Sequence, residues 1–221
     1  MTAFFAVMLP MVLSLGLWQL DRRAEKQAYE DQYYDRMGML PVVPGDAAEY
    51  APFQRVRLTG TFEAERTFLV DNQIHQGRPG YWVVTSFKDS GGRRWLVNRG
   101  WVPAPETRDA LPGFRTPAGK LMLVGVVWPD TGLPPVLAED AWADGWPKRV
   151  QRLDVARMSQ LFERVAPVEV RLERGQPGVF TSAGMNLDFQ ASRHMGYAVQ
   201  WFGLALALIA GYVIYGFKRH G

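Results

Sequence analysis

The chain has 221 residues, no cysteine, and only three histidines, His75, His194 and His220. Without cysteine there is no disulfide framework, no thiolate zinc site and no cysteine-based copper relay. With so few histidines, an imidazole-based triad or metal site in a water-facing region would rest on His75. That residue lies in "DNQIHQGRPGYW", whose Gly and Pro mark a turn between strands, so an exposed loop histidine is the expected reading. G-x-S-x-G, H-E-x-x-H and the phosphate-binding Gly-rich loop are all missing, and the carboxylates show no distinctive pairing. No catalytic signature results, and the chain is expected not to be an enzyme. Its 25 Lys and Arg against 22 Asp and Glu give a formal charge of +3, with the basic residues scattered. That pattern predicts a solvated surface and no nucleic-acid partner.

Two stretches lack charge altogether, Thr2 to Leu20 and Tyr197 to Phe217. At ~1.5 Å of helical rise per residue, about 20 apolar residues cross a ~30 Å hydrocarbon core. The expected architecture is an integral membrane protein. Two transmembrane helices, N- and C-terminal, flank an antiparallel β-rich (α+β) extramembrane domain. The expected boundaries are 1–20 for the first span, 21–38 for a helical extension, 39–193 for the domain, 194–217 for the second span and 218–221 for a tail. A cleaved signal peptide would need a basic start and a small-residue cleavage site. The first stretch has neither, and a helical pattern continues through "WQLDRRAEKQAYEDQYYDRM". It therefore reads as an anchor, with Pro10 a possible kink; the missing basic start raises the expectation that Met1 is not the initiator or that the N-terminus is trimmed. Lys218 and Arg219 after the second span favour a cytoplasmic tail. Arg22, Arg23 and Lys26 argue otherwise, but the long intervening segment lies beyond the reach of that rule. Both termini are expected in the cytoplasm of a bacterium and the main domain in the periplasm, an inner-membrane location with lipid as a partner.

Between the spans, "LPVVPGDAAEYAP" reads as an extended linker. "RVRLTGTFEA" and "RTFLVDN" read as two strands, and "GYWVVTSFKDSGGRRWLVNRGWVP" as a hairpin turning at Ser90-Gly91-Gly92. "GKLMLVGVVWP" and "PVEVRLE" are further strands, and "LDVARMSQLFERV" a short helix with Asp154 as its N-cap. In "NRGWVP", Gly100 is expected to allow a bend or positive φ and Trp101 to anchor the domain. Structural duty is the favoured role of this stretch, with a contact from Arg99 to a ligand's acid group as the alternative.

The antiparallel spans bring Trp18, Gln19 and Arg22 to about the same depth as His194, Tyr197, Gln200 and Trp201. Gly203, Ala207 and Gly211, at i, i+4 and i+8, offer a small-residue stripe for close helix packing. Interfacial aromatics need no functional explanation. His194 and Gln200 do, because a polar side chain at the membrane boundary is costly unless paired. His194, Tyr197 and Trp201 share a helical face, with Arg22, Arg23 and Arg193 at the watery rim. Such a site suits an amphipathic ligand with a flat apolar body and an anionic edge. Haem meets that description, with His194 as axial ligand to its iron, and a lipid headgroup, a quinone or a partner helix also fit.

Four stretches in order resemble the Surfeit locus protein 1 (Shy1-like) family. "GLWQLDRRAEK" is similar to its G-x-W-Q-x-x-R-x-x-x-K, "GRPGYWVVTSF" to its glycine-rich strand start, "NRGWVP" to a family signature, and "RHMGYAVQWFGLALAL" to its H-x-x-Y-A-x-x-W-F. The resemblance spans the whole chain. It implies a non-catalytic membrane assembly factor for cytochrome c oxidase that binds haem a and aids its insertion into subunit I. It further implies oxidase subunit I as partner, with haem a synthase as a second, and His194 as the haem ligand, with Trp18 and Arg22 matching family positions. Many members carry Asn two residues before the histidine; this chain has Ser192 there. A cofactor-free scaffold stabilising an oxidase intermediate is the alternative.

Overall fold

Residues 2–45, 49–107, 110–130, 132–133, 142–181 and 191–220 are described in a computed structural model. The chain divides into two units, Met1–Tyr34 with Leu187–Gly221, and Asp35–Asn186. Residues 46–48 of the expected linker and the final glycine of the expected tail lie outside the described residues.

In the first unit, α1 runs unbroken over Thr2–Met37 and α3 over Ala191–His220. The charge-free start of α1 and its mixed-charge continuation form one helix. Pro10 sits inside it without ending it, and the Ser14 hydroxyl donates to the Pro10 carbonyl at 2.7 Å. Beyond Leu20 the helix carries i,i+3 and i,i+4 pairs, Arg22 with Glu25 at 2.6 Å and Gln27 with Asp31 at 3.1 Å, the spacing that places such groups side by side.

The second unit is a six-stranded sheet of β1 (Arg55–His75), β2 (Arg78–Asp89), β3 (Arg94–Pro103), β4 (Leu121–Trp128), β5 (Lys148–Val150) and β6 (Val165–Leu172). The order is β2-β3-β6-β4-β1-β5, and β1 also pairs with β2, so the sheet closes on itself. Closure depends on the length of β1. The two strands expected at 55–64 and 66–72 are one, irregular between Phe62 and Thr67, and its first part pairs β4 while its remainder pairs β2. Irregularities of this kind bend a strand and so allow one strand to serve two neighbours.

The sheet is mixed, which corrects the expectation of a wholly antiparallel domain. Hairpin connections make β1–β2 and β2–β3 antiparallel. However, β6 arrives over a long connection and inserts between β3 and β4, parallel to the former and antiparallel to the latter. The short strand β5, which carries too few residues to show a period, runs parallel to β1. The helix α2 spans only Val155–Ser159. Asp154 caps it as expected, its carboxylate accepting from the Arg157 N–H at 2.9 Å.

The expected hairpin turn is held by Asp89. Its Oδ1 accepts from the Gly91 and Arg93 N–H groups, and its Oδ2 from the Trp95 indole at 2.9 Å. Trp95 then packs in a buried cluster with Val56, Leu58, Phe87, Leu123 and Val170. A second cluster gathers Phe68, Val84, Leu96 and Met158. Arg94 pairs with Glu63 at 3.0 Å, and Arg55 with Glu173 at 2.6 Å. Burial alone would raise the Glu63 carboxyl, but hydrogen bonds from Arg94 and Ser86 and the nearby Arg94 and Lys88 charges outweigh it and hold the group below its ordinary value.

"NRGWVP" lies along β3 and is built into the domain. Arg99 has 0% exposure. Its Nε donates to the Gly178 carbonyl at 2.8 Å, Nη1 to the hydroxyls of Thr85 and Thr116, and Nη2 to the Arg115 carbonyl at 2.6 Å. The guanidinium lies 4.5 Å from the centre of the Phe180 ring and 5.1 Å from that of Phe62. Burial lowers its pKa to about 10, so it stays charged at neutral pH. Gly100 has φ +107, and a Cβ there would sit 2.5 Å from the Thr181 carbonyl oxygen. Only glycine meets both conditions. Trp101 is buried, donating its indole N–H to the Gln73 carbonyl at 2.8 Å and its backbone N–H to Thr181. Asn98 donates to Glu169 at 2.7 Å, and Glu169 in turn pairs with Arg171. The stretch thus fastens residues 178–181 onto the sheet, and Arg99 has no freedom to reach a ligand outside it.

Candidate functional site

The first unit owes its shape to one seam between α1 and α3. On α1 the seam carries Val12, Gly16 and Gln19; on α3 it carries Ala198 and Ala205. A Cβ at Gly16 would lie 2.8 Å from the Phe202 ring, so the glycine makes the space that Phe202 fills. Towards the start of α1, Phe5 and Tyr212 stack with centroids 4.2 Å apart. This corrects the expected packing stripe. Gly203, Ala207 and Gly211 are exposed, and no atom lies within 4 Å of a Cβ built at either glycine. Of the five seam residues, Gly16, Ala198 and Ala205 are also small, but the two alanines fall on the opposite side of α3 from the glycine stripe. The i,i+4 spacing finds a stripe without saying which face is covered.

At one end of the seam His194 meets Gln19, Nδ1 to Oε1, at 2.7 Å. Gln19 is 9% exposed and His194 half-buried. With the amide oxygen as acceptor, the bond places a proton on Nδ1, and in a neutral ring the lone pair is then on Nε2. The helices therefore orient an imidazole at Nδ1 across the seam. Among the described residues, no three His, Asp or Glu side chains gather as a metal-holding group.

The remaining candidates differ in exposure and in the helix face they occupy. Trp201 is half-buried on the His194 side of α3. Tyr197 is 52% exposed and Trp18 is 49% exposed, so both rings present a face outward. Gln200, about 240° around the helix from His194 at ~100° per residue, is exposed on a different side. Arg22 pairs with Glu25 on its own helix, an exposed contact of little strength that leaves the side chain able to swing. Arg23 reaches across to α3, its Nη1 3.6 Å from the Met195 sulfur. Sequence reasoning placed Gln19 at the right depth but gave it no role; an amide next to a charge-free span was the available signal.

His75, expected in a loop, ends β1 and lies half-buried with its ring 5.2 Å from that of Trp101. It therefore belongs to the packing of the β unit.

Comparison with known proteins places this arrangement. A SURF1 family model matches residues 6–206, which takes in most of α1, the sheet and the first half of α3. The chain is similar to the SURF1-like protein of Rickettsia felis, 26% identical over 93% of this chain and 92% of that protein. It is similar to the SURF1-like protein of Monosiga brevicollis, 24% identical over 92% and 82%. The Surfeit locus protein 1 of Xenopus tropicalis is 28% identical over 88% of this chain and 68% of that protein. With a matched span that leaves out five residues at the start and fifteen at the end, the chain belongs to the SURF1 family.

Proposed function

We propose that this protein is a non-catalytic assembly factor for a haem-copper cytochrome c oxidase, which holds haem a as cargo at His194 and passes it to subunit I. The observation that carries this reading is the His194–Gln19 pair, an imidazole engaged at Nδ1 by the facing helix, on a helix face that Tyr197 and Trp201 share with it at i+3 and i+7. A neutral imidazole of that kind is a common haem axial ligand. The donor set fits the group, since one axial bond suits a carrier that must release what it holds. Arg22, its exposed pair with Glu25 easily broken, and Arg23 would face the propionates. Gln200, exposed on another side, would meet lipid headgroups or a partner.

Both terminal helices are long and apolar enough to cross a membrane. Their outward faces carry Phe4, Val7 and Leu17 on α1 and Leu204, Leu206, Ile214 and Phe217 on α3. Lipid is the medium in which such faces are stable. On this reading the protein is multi-pass in a bacterial inner membrane, with both termini cytoplasmic and the β domain periplasmic. Haem a synthase would be the donor and subunit I the acceptor.

The half-exposed rings of Tyr197 and Trp18 favour a second reading, in which the helices dock on subunit I as a cofactor-free scaffold. Co-purification separates the two. Parent protein and His194→Ala are each drawn from membranes that also make haem a and subunit I, and haem and subunit I are quantified in both. A carrier retains haem in the parent and loses it in the variant while subunit I remains bound. Equal subunit I capture with no haem in either sample would leave the scaffold.

A further inference from the structure

We propose that Gln19 is a positioning residue for His194, fixing its imidazole as the Nδ1–H tautomer so that Nε2 is the nitrogen offered to a metal. The geometry stands on its own observations; its consequence for haem rests on the reading above.

A free neutral imidazole exchanges between two tautomers, and only a partner at one nitrogen selects between them. Here the partner is an amide oxygen 2.7 Å from Nδ1, held in the seam where Gln19 is 9% exposed. A carboxamide at this depth would be costly if unpaired, so each side chain satisfies the other. The contact joins residues 175 positions apart, one on each helix. It can therefore form only when α1 and α3 are in register, and Gly16, which admits the Phe202 ring less than one helical turn away, sets their separation. A hydrogen-bond acceptor behind a ligating histidine also raises its basicity, and loss of such a partner typically costs roughly 10–100-fold in metal affinity.

The test uses the full-length protein in detergent, purified through a tag without histidine, with Gln19→Met as a near-isosteric side chain lacking the acceptor and Gln19→Glu as the variant that keeps it. Nitrogen-15 NMR of labelled histidine, assigned against His194→Ala, reads which ring nitrogen carries the proton in the haem-free protein. The expected result is a proton on Nδ1 in the parent and in Gln19→Glu, and a shift toward Nε2 in Gln19→Met. A proton on Nε2 in the parent, or an unmoved proton in Gln19→Met, overturns the proposal. Titration with haem a should then show roughly 10–100-fold weaker binding and a displaced iron–histidine stretching band for Gln19→Met, with Gln19→Glu restored. Parent and Gln19→Met binding alike through His194 would overturn the proposal while leaving the carrier reading standing. A tautomer that behaves as expected in a parent that takes up no haem a overturns the metal-facing half of the proposal together with the carrier reading.

Discussion

Arg99 in the β domain and His194 in the helical unit are both nitrogen bases drawn in from water, and the surroundings treat them in opposite ways. Arg99 is wholly buried, and each of its three nitrogens donates to a carbonyl or hydroxyl of its own domain. His194 is half-buried and, among the described residues, bonded at Nδ1. A side chain whose hydrogen-bonding capacity is used up by the fold is a structural part. One that is oriented and left with an open lone pair can act on something else. On this ground the "NRGWVP" stretch and the α3 histidine, equally prominent in the sequence, separate into framework and candidate site.

The comparison breaks first at Arg99. Arg99→Ala would strand the carbonyls of Gly178 and Arg115 and open a void among Phe62, Phe114 and Phe180. A loss of roughly 3–5 kcal/mol is expected, read by denaturant or thermal unfolding of the detergent-solubilised protein, with Arg99→Lys intermediate because an ammonium cannot reproduce the fork. An unfolding midpoint unchanged in Arg99→Ala would return Arg99 to the list of ligand contacts. Gly100→Ala comes next. A positive φ and a Cβ 2.5 Å from the Thr181 oxygen should cost about 2 kcal/mol or more and loosen the Trp101–Thr181 pairing, which hydrogen exchange at the Trp101 amide would register.

In the helical unit, Gly16→Leu should force Phe202 out of the seam and abolish the His194–Gln19 bond, lowering haem retention. Gly203→Leu, on the open face, should leave both intact; a matched loss in the two variants would mean that the seam has been assigned to the wrong face of α3. The smallest effect expected is from pH. Glu63 has a folded pKa below its ordinary value of 4.5, so its contribution is fully present above that value and is lost as pH falls through the depressed one. Because the Arg94–Glu63 pair is about a quarter exposed, the acid-side difference between parent and Glu63→Gln should stay below about 1 kcal/mol.

Much of this was legible in the sequence because the signals were local. The two charge-free stretches, the Asp154 cap, the turn at Ser90-Gly91-Gly92 and the positive φ of Gly100 each depend on a few adjacent residues. What the sequence did not disclose depends on long-range pairing. The joining of 55–64 and 66–72 into β1 follows from a bend that only the barrel closure requires. The parallel seating of β6 between β3 and β4 follows from where a long connection returns. The role of Arg99 was open because its partners lie 14 to 79 residues away. In the helical unit the level of His194 with Gln19 could be read from two antiparallel helices, whereas the covered face of α3 was misjudged: composition offered the Gly203 stripe, and the packing uses Ala198 and Ala205 against Gly16.

The most direct test is a haem a titration of the detergent-purified apoprotein, followed by its absorption spectrum, for the parent, His194→Ala and Arg99→Lys. The account expects one haem per chain with a histidine-ligated spectrum in the parent, the same in Arg99→Lys as long as it remains folded, and no such band in His194→Ala. A folded parent that gives no band, or a band that survives in His194→Ala, would contradict it.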